Sequence, residues 1–234
     1  MSRVLVIGDT HCPAMLPEYP EFLNDIYEQW DCDRVVHIGD LVDWASISYH
    51  PKAPSLKNSE QEFAQAMEQV QHLHDYFPTV DWLIGNHDSL TERQATDLGL
   101  PLQVLKGYTE LWDLPGWNAI PRYDTLEIDG VRYSHGETGR GGAFPALAQA
   151  TDQFQSTVIG HFHAAAGVVF RVNENARVFG MNVGCGVDYH TAAMQYGVKF
   201  PKKPVLGCGV VIDGTTAIFE PMAIPNRMGI TGTG

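Results

Sequence analysis

Five short fragments, each closing a short apolar run, constrain this chain more than anything else in it. They are Gly8-Asp9-Thr10-His11, Gly39-Asp40-Leu41-Val42-Asp43, Gly85-Asn86-His87-Asp88, Ser134-His135-Gly136 and Gly160-His161-Phe162-His163. Val4-Leu5-Val6-Ile7, ahead of the first, suits a strand buried on both faces. Each fragment puts a carboxylate, an amide or an imidazole where a strand gives way to a loop. Singly, a Gly-Asp after a strand is most often a turn, and a His beside Gly is most often a loop residue. Five in this order read as one site assembled from distant parts of the chain.

The first third alternates strand and helix. Pro17 to Trp30 carries Phe22, Leu23, Ile26 and Trp30 at helical spacing, and Arg34 to Ile38 and Val80 to Ile84 read as the second and third strands. The clearest helix is Ser59 to Phe77. Ser59 stands as its N-cap with Glu62 in capping-box position, and Phe63, Met67, Val70, Leu73 and Phe77 form its apolar stripe. The second half is rich in strands. Residues 125–128 and 131–133 pair around Asp129-Gly130, and Thr157 to Ile159 ends at Gly160. Residues 168–172 and 177–183 flank an Asn173-Glu174-Asn175 turn, and 210–213 and 216–220 flank Gly214. This strand count predicts an α/β protein with two packed mixed sheets and helices outside them. The expected architecture is a four-layer α/β/β/α sandwich with its site in the loops at the strand C-terminal ends. Two stretches, 44–58 and 100–121, read as long irregular loops. We expect one domain over 1–227 and a loose tail over 228–234.

The formal net charge of −13 does not favour duplex nucleic acid, although bound divalent cations would offset part of it locally. The cysteines Cys12, Cys32, Cys185 and Cys208 form no C-x-x-C pair and read as reduced thiols. With no signal-peptide shape and no apolar run of membrane-spanning length, the expected location is cytoplasmic, away from membranes.

In an extended segment, residues i and i+2 point the same way, so Asp9 with His11 can chelate one cation, and His161 with His163 can do the same. Asp40 follows another strand, and its two oxygens can bridge two cations. Asn86 offers a carbonyl oxygen and His135 an imidazole. The donors are nitrogen and oxygen with no thiolate, which suits Mn, Fe, Co, Ni or Zn rather than a structural cysteine site.

The ordered set Gly-Asp-x-His, Gly-Asp-x-x-Asp, Gly-Asn-His-Asp, His-Gly and Gly-His-x-His, over positions 8 to 163, resembles the calcineurin-like metallophosphoesterase superfamily. The resemblance implies two divalent cations, with manganese the first expectation and Fe, Zn, Ni or Co as alternatives. It implies Asp9, His11 and His163 at the first cation, and Asn86, His135 and His161 at the second. Asp40 is implied as the bridge, His87 as a catalytic histidine outside the permanent ligands, and Asp43 as the acid that orients it. Hydrolysis would proceed through a hydroxide shared by the two cations, with His87 as general acid. Asn182-Val183-Gly184-Cys185-Gly186 resembles the family's late turn, with Cys185 read as a packing residue.

The leading expectation is therefore a binuclear phosphoesterase acting on small or nucleotide-like phosphodiesters, or on phosphomonoesters. Arg140, in a glycine-rich run, could fork onto a phosphate. Tyr189 and His190 are further candidates for substrate contact. A nuclease acting on single strands or ends is the enzymatic alternative, with Trp44, Tyr49, Trp112, Trp117 and Tyr189 as candidate base-stacking rings. A non-catalytic scaffold is the remote alternative. His37 reads as a core-strand histidine, and oligomeric state is not legible.

Overall fold

The computed structural model describes residues 2–49, 58–191 and 202–225; the expected tail, and most of the Pro-containing half of the first irregular stretch, lie outside the described residues. One sheet has the order β11-β10-β1-β2-β3-β4, and the other β5-β6-β7-β9-β8. In the first, β1 (Arg3–Ile7), β2 (Arg34–His37), β3 (Val80–Leu83) and β4 (Trp117–Ile120) run parallel. The antiparallel hairpin β10 (Gly207–Ile212) and β11 (Thr216–Pro221) extends that sheet beside β1. In the second, β6 (Val131–Ser134), β7 (Thr157–Ile159) and β9 (Arg177–Val183) run parallel. They are flanked by the antiparallel strands β5 (Leu126–Ile128) and β8 (Ala166–Val172).

The pleat explains the layering. On β1, Val4 and Val6 face one way and Leu5 and Ile7 the other. Val4 and Val6 join Val36, Ile38 and Leu83 against Tyr133, Val158, Phe179 and Met181, so this core lies between the sheets. Leu5 and Ile7 enter the larger core beneath α1 (Tyr19–Gln29) and α2 (Ser59–Tyr76), with Leu23, Val70 and Leu73. Each such side chain contributes roughly 1.5–3 kcal/mol by burial. On the far side, α5 (Pro145–Gln153) packs on β7, β8 and β9. The expected sandwich of two mixed sheets with helices outside is what the chain forms.

Three local expectations are corrected. The cap of α2 is Asn58, whose side chain accepts the Gln61 N–H, not Ser59. Glu62 makes no capping box, because its carboxylate accepts the backbone N–H groups of Ala45 at 2.6 Å and Ser46 at 2.9 Å. The stretch 100–121 is not irregular throughout: it holds α4 (Tyr108–Leu111) and β4, which pairs residue for residue with β3. Helices α3 (Leu90–Asp97) and α5 were not expected at all. Among the described residues, no helix is long and apolar enough to cross a membrane.

Candidate metal centre

All five fragments follow the C-terminal ends of parallel strands: β1, β2 and β3 in one sheet, and β6 and β7 in the other. The loops after β1 and β2 are laced together. Thr10 and His11 donate their N–H groups to Asp40 O at 3.1 and 2.9 Å, and Cys12 donates to Leu41 O at 2.8 Å. His11, Asp40 and His161 take φ values of 48°, 52° and 62°. That left-handed conformation is uncommon for side-chain-bearing residues and concentrates where function holds it in place.

Two glycines of the motifs have a steric cause. A Cβ on Gly85 would strike the Asp40 carboxylate, and one on Gly160 would strike that of Asp9. These acids in turn bind the loops. Asp40 Oδ1 accepts the His87 N–H at 2.8 Å, and Asp9 Oδ2 accepts the His161 N–H at 3.0 Å.

Three overlapping groups emerge whose donor atoms lie within 4.8 Å of one another: Asp9, His11 and His163; His11, Asp40 and His87; and Asp40, His135 and His161. Asp40 Oδ2 lies 3.6 Å from His11 Nε2 and 3.2 Å from His135 Nε2. His163 Nε2 lies 2.9 Å from Asp9 Oδ2 and 3.1 Å from His11 Nε2. Asn86 Oδ1 lies 3.1 Å from His135 Nε2.

The outer nitrogens of two of these rings are already engaged. His135 Nδ1 donates to Ile38 O at 3.1 Å, and His11 Nδ1 lies 2.8 Å from Asp43 Oδ1. Their Nε2 atoms are therefore turned inward, the orientation found around metal-bound imidazoles. Asp9, His11, Asp40 and Asp43 are at most 2% exposed. Buried carboxylates beside inward-facing imidazole nitrogens form groups that could hold a metal ion. The nitrogen and oxygen donors fit divalent metal.

Burial opposes charge on each of these groups, but the neighbours prevail for most. Burial works against the His135 and His87 cations, yet Asp40 and the other nearby acids push both up to about 10. Asp40 resists its burial through His135, His87 and His11, and is held well below the usual carboxylate range. Asp43 falls to about 2 for the same reason, with His11 and His87 as its partners. For His161, burial and the neighbouring His135 act together, and its affinity for a proton drops.

A family profile described as calcineurin-like phosphoesterase matches residues 2–168. The chain belongs to the calcineurin-like phosphoesterase family. Comparison with curated proteins finds no match. Among solved structures, this calcineurin-like phosphoesterase is similar to the E. coli phosphoesterase Yfce, with 17% identity, a TM-score of 0.45 and coverage of 89% of this chain and 87% of that one. It is also similar to Vacuolar Protein Sorting 29 from Cryptosporidium parvum, with 15% identity, a TM-score of 0.44 and coverage of 95% and 98%. The Pseudomonas putida nuclease MPE matches with 12% identity, a TM-score of 0.42 and coverage of 90% and 84%.

The other candidate residues have local partners of their own. The Arg140 guanidinium forks onto Asp152 of α5 through Nε and Nη2. Tyr189 is mostly buried, its ring centroid 4.4 Å from that of His190, while His190 is exposed and donates its backbone N–H to Asp188. Trp44, Trp112 and Trp117 are core residues and present no open face to a base, which corrects their reading as stacking rings. Tyr49 alone of the five keeps a large exposure, 51%. Cys185 is buried with its thiol pushed up to about 12 by desolvation, as suits packing. His37 is the expected core-strand histidine, fully buried.

Asp88 carries a task that the motif did not reveal. Its carboxylate accepts the N–H groups of Gly85 at 2.9 Å, Val42 at 3.1 Å and Trp82 Nε1 at 3.3 Å. It thereby joins the turn that carries Asn86 and His87 to the loop that carries Asp40 and Asp43. Only the Asp at the end of Gly-Asn-His-Asp marked it in advance.

Proposed function

We propose that this member of the family is a metal-dependent hydrolase of phosphodiesters, and secondarily of phosphomonoesters, that works with two divalent cations. The supporting observation is the Asp40 carboxylate between two nitrogen sets, with Oδ2 3.2 Å from His135 and 3.6 Å from His11. Asp9, His11 and His163 would hold one cation, Asn86, His135 and His161 the other, and Asp40 both. Such a pair lowers the pKa of water and neutralises the phosphate oxygens.

The chain's own residues supply the rest. His87 Nδ1 lies 2.7 Å from Asp43 O and 3.1 Å from Asp43 Oδ1, which fixes its proton there. Its other nitrogen is left for the proton that the departing oxygen needs. Asp43 orients the ring and favours its cationic form. The buried floor of the site excludes bulk water and strengthens every charge interaction in it.

Manganese is the first ion to test, and Fe, Zn, Ni and Co follow. Stripped protein reloaded with each ion should hydrolyse bis(p-nitrophenyl) phosphate faster than p-nitrophenyl phosphate. The reverse order would make it a phosphomonoesterase. The nuclease alternative rests on the exposed Tyr49, and salt-sensitive cleavage of labelled single strands in preference to the small diester would select it. No bound metal and no turnover with any ion would select a scaffold.

A further inference from the structure

Beside the Asn86–Asp88 turn lies a cavity of about 610 Å³ whose wall includes Ser89, Arg93, Tyr49 and Tyr123. Two of its wall residues bond to the turn that carries Asn86 and His87. Ser89 Oγ donates to Asn86 O at 3.2 Å, and Arg93 Nη1 reaches the same oxygen at 3.5 Å. Its volume is that of a small-molecule site.

Three observations describe what would fill it. The first is Arg93. Among the described residues its side chain makes that one long hydrogen bond and no ion pair, although the chain is acidic. Its guanidinium lies over the Tyr49 ring, 4.8 Å from the centroid, so its face is covered while donors on its edge stay available. The second is Tyr123, which is 63% exposed and held at φ 73°, a costly conformation for a bulky residue. Arg122 stacks on it at 4.5 Å while forking onto Glu137, two residues past His135. The third is the charge balance. Glu92 and Asp97 share the wall with Arg93, which disfavours a long polyanion but accepts a single phosphate beside a neutral ring.

We propose that this cavity is a specificity pocket for the nucleoside part of a nucleotidyl phosphodiester. Tyr123 and Tyr49 offer ring surface to the base, and the open edge of Arg93 meets the phosphate as it enters the centre. This rests on the phosphodiesterase reading above and names the substrate class for it.

The test compares two diesters that share charge and leaving group: the p-nitrophenyl ester of thymidine 5′-phosphate and methyl p-nitrophenyl phosphate. The holoenzyme should favour the nucleotidyl ester in kcat/KM by about tenfold or more, the scale of one stacked base. Tyr123→Ala and Arg93→Met should each collapse that ratio. Titration calorimetry with thymidine 5′-monophosphate should show weaker binding in both variants by a similar factor. A wild-type ratio near one, or variants that leave both ratio and binding unmoved, overturns the pocket while the hydrolase reading stands. Nucleotide binding that depends on Tyr123 and Arg93, without turnover of either ester, keeps the pocket and removes the hydrolase reading. Oligothymidylate that binds far more tightly than the mononucleotide overturns the choice of a nucleotidyl group in favour of a strand.

Discussion

Asp43 Oδ1 lies 3.1 Å from His87 Nδ1, and the same oxygen lies 2.8 Å from His11 Nδ1. One carboxylate thus orients both the proposed proton donor and a proposed metal ligand. The two roles separate by mutation. His87→Ala should keep its metals and lose about 10²–10⁴-fold in turnover. Asp43→Asn should lose turnover and also bind metal about 10–100-fold more weakly. Metal titration beside steady-state rates checks this, and unchanged metal affinity in Asp43→Asn would confine Asp43 to His87.

Gly85 and Gly160 leave room for the carboxylates of Asp40 and Asp9. Gly85→Ala and Gly160→Ala should therefore displace those acids and weaken metal binding sharply. A control is Gly142→Ala, where a Cβ meets nothing within 4 Å but the φ of 114° is strained. The control should lower stability without lowering metal affinity. Equal metal loss in all three variants would contradict the steric account.

Glu62 accepts the N–H groups of Ala45 and Ser46 just beyond Asp43. Glu62→Ala leaves two backbone donors without their acceptor and should cost about 1–3 kcal/mol. Glu60→Ala, on the exposed side of the same first turn, should stay within about 0.5 kcal/mol. Urea midpoints at constant m decide between them.

His37 is buried between the loops. Its Nδ1 accepts the Gly39 N–H at 3.2 Å, and its Nε2 lies 3.3 Å from Thr10 Oγ1. Burial pulls its pKa from 6.5 down to about 3. The unfolded chain therefore takes up this proton before the folded one does. Stability from this group is complete above pH 6.5 and is lost as pH falls towards 3, by up to about 1.4 kcal/mol per unit. His37→Gln should flatten that part of the curve. An identical acid slope in the variant would assign the loss to other groups.

Much of the site was legible because its chemistry demands particular residue types at strand ends. Asp9, His11 and His163 lie together, as do Asp40, His135 and His161. The apolar runs before them marked β1, β2 and β3, and turn residues marked the hairpins. What stayed hidden depends on tertiary partners. Strand β4 is four residues between Gly116 and Pro121 without a β-branched run, and it is set by its pairing with β3. Glu62 has the spacing of a capping box, yet two backbone donors from another loop claim it. Arg140 meets Asp152 on a helix that the sequence did not announce. Trp44 and Trp112 read as stacking rings, but their apolar area is buried against Phe63.

The most direct measurement counts metal. Stripped wild-type and Asp40→Ala proteins are reloaded with Mn²⁺, freed of excess, and assayed for bound metal and diester hydrolysis. The wild type should hold two ions per chain, and its activity should rise with the second. Asp40→Ala should hold one or none and be inactive. A wild-type protein that hydrolyses diesters while holding a single ion, or that holds none, would contradict the paired-cation centre.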